Sequence, residues 1–83
     1  MFLKSKKEEK MLDVKAFGAR LAELRRRTNM RQRDVARAVG VTAQAVSNWE
    51  TGRSFPDLCI LDELALALGV EIRDLFEPNS NIE

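Results

Sequence analysis

Glycines that follow short apolar stripes divide this chain into helix-sized segments. In the first segment, apolar residues recur every three or four positions from Val14 to Leu24, which is the spacing of one helix face. Gly40, Gly52 and Gly69 each follow such a segment, and glycine readily takes the left-handed conformation that ends a helix. No segment shows the strict apolar–polar alternation of a half-buried strand. The sequence therefore predicts an all-α fold.

Capping residues set the bounds of five predicted helices. Asp13 and Thr42 are suitable N-caps, and Asn29 tolerates the conformation that ends the first helix. Pro56 and Asp57 begin the fourth helix, because proline suits a helix start and an acidic group suits the positive end of the dipole. The five predicted helices span about residues 13–28, 32–39, 43–51, 56–68 and 72–76.

Size and composition exclude several functions. The chain has 83 residues, which is one small domain, and it contains no histidine and a single cysteine, Cys59. We therefore expect no enzyme activity, no cofactor, no metal site and no internal disulfide. The longest apolar run is far shorter than a membrane span. These features predict a cytoplasmic protein, with Cys59 as a small buried hydrophobic residue; a redox-sensing thiol is the less favoured alternative.

The net charge of +1 hides a strong division along the chain. Residues 1–12 carry +2, and residues 13–53 carry nine basic against four acidic side chains, or +5. Residues 54–83 carry one basic against seven acidic side chains, or −6. The segment 13–53 is therefore expected to contact an anion, whereas residues 54–83 are not.

Residues 32–51 resemble a helix-turn-helix unit, in which two helices cross through a short turn. Ala36 is small where the two helices approach most closely, and Gly40 lies in the turn. The positions that must be apolar to seal the pair are all apolar. They are Val35, Val39, Val41, Val46 and Trp49. Trp49 is predicted to lie in the core, not to serve as a stacking platform.

The wider chain is similar to the XRE family, the Cro and phage-repressor type of DNA-binding domain. The resemblance runs from Val14 to Phe76, through LAELRRRTNMRQ, VSNWETGRSFPD and LALALGV. It implies a five-helix, lambda-repressor-like domain with the helix-turn-helix at helices 2 and 3. It also implies that helix 3 enters the major groove of double-stranded DNA, while helix 2 lies across the backbone.

The resemblance assigns base contacts to the exposed side of helix 3. Gln44 and Asn48 are one helical turn apart, and both amides can pair with adenine. Ala43 can contact a thymine methyl group, but it cannot form a hydrogen bond. The predicted base contacts are Ala43, Gln44, Ser47 and Asn48, and the predicted phosphate contacts are Arg31, Gln32, Thr42, Thr51 and Arg53.

The same resemblance implies an ion pair between Arg25 of helix 1 and Glu50 at the end of helix 3. Three positions depart from the family pattern. Arg31 replaces the usual Thr or Ser cap of helix 2, which removes a cap and adds a cation near DNA. Ala43 is apolar where many relatives are polar, and Glu71 replaces the usual cap of helix 5.

The acidic C-terminal half allows two interpretations. It is either a solvated surface that faces away from DNA or, as we favour, a surface that pairs two subunits. Its apolar residues exceed what so small a core requires, and in the resembled family the last helix often pairs two copies. The predicted dimer contacts are Leu58, Ile72, Leu75 and Phe76. Such a homodimer would bind half-sites about 34 Å apart.

The sequence thus predicts three segments and one function. Residues 1–12 form a polar, basic tail that is solubilising or reaches along DNA, residues 13–77 form the DNA-binding domain, and residues 78–83 fray. The predicted function is sequence-specific DNA binding and transcriptional repression as a homodimer on a palindromic operator. A protein-interaction module, such as an antitoxin, is the alternative. Phage repressor, restriction–modification controller and antitoxin contexts all remain open.

Overall fold

The computed structural model describes residues 13–76, which contain four α-helices followed by one 3-10 helix. The predicted tails at residues 1–12 and 78–83 lie outside the described residues. The described part contains no β-strand, so the all-α prediction is confirmed there. The elements are α1 (Val14–Arg27), α2 (Gln32–Val39), α3 (Ala43–Glu50), α4 (Leu58–Leu68) and the 3-10 helix (Ile72–Leu75).

Side-chain caps begin three of the helices. Asp13 accepts a hydrogen bond from the backbone N–H of Ala16, and Thr42 accepts one from Ala45, each at 3.1 Å. Asp57 caps α4 in the same way, and Pro56 lies before the cap and outside the helix. The predicted caps at positions 13 and 42 are therefore confirmed, and α4 begins slightly later than the sequence indicated.

Backbone conformation ends α1 and α2 where the sequence predicted. Asn29 has a φ of 60°, and Gly40 has a φ of 79°. A β-carbon on Gly40 would meet no atom within 4 Å, so the left-handed backbone, not space, is what favours glycine there. These two turns set the angle at which α2 leaves α1 and the angle at which α3 leaves α2.

The predicted count of five helices is not confirmed, because in place of a fifth α-helix the structure forms only a four-residue 3-10 helix. Its hydrogen bonds run from Asp74 to the Glu71 carbonyl and from Phe76 to the Arg73 carbonyl, each three residues back. The segment is short because it must fit between Gly69, which ends α4, and Pro78, which disfavours helix in the residue before it.

One core joins all of these elements. Leu75 is completely buried, so the 3-10 helix closes the core against α1 and α4. Of the five apolar helix-turn-helix positions, four are buried, with Val35 and Val46 fully so, and Val41 is partly buried against the core. The buried core cluster consists of Phe17, Leu21, Leu24, Val35, Ala36, Val39, Val46, Trp49, Leu61, Leu64, Ala65, Leu68 and Leu75.

Gly18 permits a close approach of two helices that was not predicted from the sequence. It is buried in the middle of α1, where that helix crosses the C-terminal end of α3. A β-carbon at this position would lie 2.7 Å from the carbonyl oxygen of Glu50 and would also collide with that of Trp49. The absence of a side chain at Gly18 therefore lets α1 support α3 directly.

Candidate nucleic-acid interface

The third helix presents a polar face opposite its buried one. Val46 and Trp49 anchor α3 in the core, with exposed fractions of 0% and 6%. Ala43 and Gln44 are exposed on the other side, and Ser47 and Asn48, one turn later, are half-buried. All four residues that the sequence predicted for base contact therefore reach the surface of one short helix.

Two of these side chains contact each other. The amide nitrogen Nε2 of Gln44 donates a hydrogen bond to Oδ1 of Asn48 at 3.1 Å. The carbonyl of Asn48 accepts from the backbone N–H of Arg53 at 2.8 Å, so the loop after α3 holds the backbone of Asn48. The two side chains predicted to read bases are thus joined by a hydrogen bond.

A partly buried ion pair joins α3 to α1, as predicted. Arg25 donates to Glu50 through Nε at 2.7 Å and through Nη2 at 3.1 Å, which makes the pair bidentate. Arg25 also donates from Nη1 to the carbonyl of Met30 at 3.0 Å. The side chain of Glu50 is only 6% exposed. This geometry fixes the end of α3 against α1.

Gln32 completes the same network. Its Nε2 donates to Oε1 of Glu50 at 2.9 Å, so the side chain bridges α2 to the ion pair. The backbone N–H groups of Gln32 and Arg33 make no hydrogen bond to any described residue, and they stand at the first turn of α2. Free amides at a helix N-terminus favour an anion.

The cap of α2 is reversed, because the capping acceptor is not the side chain of the N-cap residue but that of Asp34, three residues later. Arg31 supplies no side-chain acceptor, but the carboxylate of Asp34 accepts from the backbone N–H of Arg31 at 2.9 Å and from its Nε at 3.3 Å. The backbone hydrogen bond from Arg31 lowers the pKa of Asp34, and the guanidinium groups of Arg31 and Arg33 lower it further. The loss of a Thr or Ser cap is therefore partly offset by an acid three residues later.

The remaining residues predicted to contact phosphate differ in whether their side-chain donors are already engaged within the protein. Thr51 already donates its hydroxyl to the carbonyl oxygens of Ser47 and Asn48, at 3.0 and 3.3 Å. Thr42 uses its hydroxyl oxygen only as an acceptor among the described residues, so its proton is available. Arg53 is exposed and has no carboxylate within 4.0 Å in residues 13–76.

One buried arginine, Arg20, was not predicted from the sequence. Arg20 is 6% exposed, and its Nε donates to the carbonyl of Asp74 at 2.8 Å. Its Nη1 lies 3.3 Å from Glu23. The helical spacing offered a signal, because Arg20 lies three residues after Phe17 and next to Leu21 on the buried face of α1. The arginine joins α1 to the 3-10 helix.

The C-terminal half exposes large apolar side chains. Leu58 is 80% exposed, Leu66 is 74% exposed, Ile72 is 43% exposed and Phe76 is 39% exposed. Three of the four predicted dimer contacts, Leu58, Ile72 and Phe76, are therefore on the surface. All four exposed apolar side chains lie on α4 or after it.

Two predictions in this half are wrong. Leu75 cannot contact a partner in this conformation, because it fills the core between α1 and α4 and is 0% exposed. Cys59 was predicted to be buried, but it is exposed. The buried stripe of α4 passes through Leu61, Leu64 and Leu68 and leaves position 59 on the outer face.

The exposed face of α3 and the core behind it are those of a helix-turn-helix domain. Comparison with known proteins supports this assignment. A helix-turn-helix domain model matches residues 16–77. The HTH-type transcriptional regulator DdrOP3 of Deinococcus deserti is 38% identical over 58 residues, which cover 70% of this chain and 45% of that protein. The uncharacterized HTH-type transcriptional regulator y4dJ of Sinorhizobium fredii is 39% identical over 64 residues, which cover 77% and 83%.

Solved structures show the same architecture. The restriction-modification controller protein C.AhdI from Aeromonas hydrophila has a TM-score of 0.74 and 36% identity, and the match covers 77% of this chain and 97% of that one. The P22 c2 repressor, solved in complex with a synthetic operator, has a TM-score of 0.71 and 28% identity, with coverage of 76% and 96%. The chain therefore belongs to the helix-turn-helix family, as an XRE-type transcriptional regulator that binds DNA.

Its fold and family are those of DNA-binding regulators, not of enzymes. Separately, no helix within residues 13–76 combines the length and apolar content that crossing a bilayer requires.

Proposed function

We propose that the chain is a cytoplasmic repressor that binds a palindromic operator as a homodimer, with α3 in the major groove. The observation that carries this proposal is the exposed polar face of α3, which stands directly opposite the anchors Val46 and Trp49. A helix held rigidly from behind can place its side chains on base edges without first becoming ordered.

Phosphate contacts on both sides of α3 would fix its register on the duplex. The free amides of Gln32 and Arg33 suit one phosphate, and the hydroxyl of Thr42 suits a neighbouring one. Arg31 and Arg53 are exposed cations at the two ends of the unit. Because the side chain of Gln32 is bonded to Glu50, we assign its phosphate contact to the backbone N–H.

Thr51 is less available for a phosphate contact than the other predicted residues. Its hydroxyl and its backbone N–H both donate within the protein, to Ser47 and its neighbourhood. The hydroxyl would have to turn away from those carbonyls to reach DNA. We retain Thr51 as a proposed contact whose substitution has the smallest effect on affinity.

The homodimer is supported by the exposed apolar side chains of the C-terminal half. Leu58, Ile72 and Phe76 stand on a part of the chain that carries a net negative charge, which would be repelled by DNA. A second copy would cover apolar surface that is otherwise in contact with water. Two α3 helices one turn of DNA apart, about 34 Å, would read the two halves of a palindrome.

Repression would then follow from occupancy, because a dimer on a promoter excludes polymerase. The P22 c2 protein is a repressor and C.AhdI is a controller protein, and both resemble this chain along most of their length. These likenesses support control of transcription, and the apolar face supports self-association.

The experiment is a salt titration of binding to an operator selected from random DNA by the wild-type protein. We expect the logarithm of the affinity to fall with the logarithm of salt by about 0.9 per phosphate contacted. Arg53→Gln should lower that slope by about one per protomer. Arg73→Gln, on the acidic half, is the matched control and should leave the slope unchanged. A flat salt profile for the wild type would contradict DNA binding.

A further inference from the structure

The hydrogen bond between Gln44 and Asn48 has a consequence for how the α3 surface reads a base. Gln44 is exposed and has a long, rotatable side chain, whereas Asn48 is half-buried, and the loop after α3 holds its backbone. Of the two, Asn48 is the better fixed. The 3.1 Å contact therefore restrains Gln44 before any DNA is present.

The chemistry of a primary amide makes this contact compatible with base reading. The NH₂ group of Gln44 has two hydrogens, and only one of them is needed by Asn48. To pair with adenine, an amide uses its oxygen and the hydrogen on the same side, toward N6 and N7. The other hydrogen points away from the base, and that is the hydrogen that Asn48 can accept.

The contact also fixes which way the amide faces. An unrestrained glutamine can turn its oxygen or its nitrogen toward a given base atom, and it loses rotamer freedom when it binds. Because Oδ1 of Asn48 accepts a hydrogen bond, it favours the arrangement with the nitrogen of Gln44 beside it. Ala43, the exposed neighbour on the same surface, has no polar group that could compete for that amide.

We propose that Asn48 is a positioning residue that holds Gln44 in the orientation that reads adenine in the major groove. This inference rests on the proposed function, since it requires α3 to lie in that groove. It gives the two amides different roles, where the sequence alone gave them the same one.

The test measures base preference, not affinity alone. The wild type, Gln44→Ala, Asn48→Ala and the double variant are titrated against the selected operator and against versions with each base pair replaced in turn. For the wild type we expect a preference of roughly 5- to 150-fold for A·T at the position that Gln44 reads. Gln44→Ala should abolish that preference. Asn48→Ala should reduce it several-fold, yet change nothing further in the Gln44→Ala background.

Asn48→Asp separates positioning from other roles. It keeps an oxygen that can accept from Gln44, so the A·T preference should persist, while affinity for every sequence falls because a negative charge now faces DNA. Circular dichroism and thermal unfolding confirm that each variant is folded.

Three outcomes would overturn the inference. Asn48→Ala could lower affinity equally for all operators, or it could change base preference even without Gln44, or Asn48→Asp could lose the A·T preference. If the wild type binds no DNA specifically, both this inference and the proposed function fail. If the wild type is specific and only the coupling is absent, the inference alone fails.

Discussion

The two halves of this domain differ in the kind of side chain that their surfaces expose. In residues 13–53 the surface is polar and basic, and the large apolar side chains of α1 to α3 are buried or partly buried. In residues 54–76 all four exposed large apolar side chains of the described part of the chain are found. The first half is suited to a polyanion and the second to another apolar surface. A single core thus supports two surfaces of different chemistry.

The largest expected effect comes from the ion pair that stiffens the first half. Glu50→Ala leaves the guanidinium of Arg25 and the amide of Gln32 without their shared partner in a largely buried place. We expect a loss of about 3–5 kcal/mol in the free energy of unfolding, because an unpaired buried charge is costly. Urea denaturation measures this loss.

Glu71→Ala is the matched control for that experiment. Glu71 lies 3.9 Å from Arg73, and both side chains are more than three-quarters exposed. An exposed pair contributes about 0–1 kcal/mol, so this variant should remain close to the wild type. Equal losses in the two variants would mean that the Arg25–Glu50 pair does not stiffen the first half.

A pair of leucines separates core from surface in the second half. Leu75→Ala should cost about 2–5 kcal/mol, because Leu75 is fully buried and its removal leaves a cavity. Leu58→Ala, at 80% exposure, should change the stability of the monomer by no more than about 0.5 kcal/mol. Chemical denaturation at concentrations where the chain is monomeric provides both numbers.

The same two variants bear on the proposed homodimer. Leu58→Ala should weaken self-association in sedimentation equilibrium, since it removes an apolar group from the proposed contact. If Leu58→Ala leaves self-association unchanged while Leu75→Ala weakens it with no loss of monomer stability, the assignment of these two leucines is reversed.

Gly18→Ala tests how closely α1 and α3 of the first half must approach each other. A methyl group there would meet the carbonyl oxygens of Trp49 and Glu50, so α1 must move away from α3. We expect a loss of about 1–3 kcal/mol, as for other overpacked sites, together with weaker binding to DNA. Gly40→Ala is a useful comparison, because its cost comes from backbone conformation alone. A Gly18→Ala variant with wild-type stability would contradict the packing described here.

The smallest effect concerns the reversed cap of α2. The pKa of Asp34 is lowered in the folded state, so its carboxylate stabilises the fold above the ordinary carboxyl pKa, and this contribution is lost as pH falls through the lowered value. The stability difference between wild type and Asp34→Asn should therefore be present at pH 7 and shrink toward pH 3. A difference that is independent of pH would show that the charge does not act there.

The sequence predicted the first half well because periodicity and capping are local signals. The bounds of α2, the caps at Asp13 and Thr42, and the burial of Trp49 all follow from neighbours in the chain. The Arg25–Glu50 pair spans 25 residues, and it was reached only through resemblance to a family. Gly18 was missed because the close approach it permits comes from another helix.

The second half was harder to predict because its apolar residues serve two purposes. Leu58 and Leu75 look alike in the sequence, yet one is exposed and the other lies at the centre of the core. Which leucine is buried depends on how α4 and the 3-10 helix pack against α1. In the structure Leu61, Leu64 and Leu68 share the buried face of α4, whereas Leu58 and Cys59 lie outside it.

We propose that DNA contacts α3 and the start of α2, while the acidic half remains free of it. Titration of isotopically labelled protein with the selected operator, followed by amide chemical shifts, tests this residue by residue. We predict the largest changes at residues 31–33 and 42–48, and small changes at the exposed positions of α4, Leu58 and Leu66. Large changes on that face of α4, with α3 unaffected, would contradict DNA binding by α3.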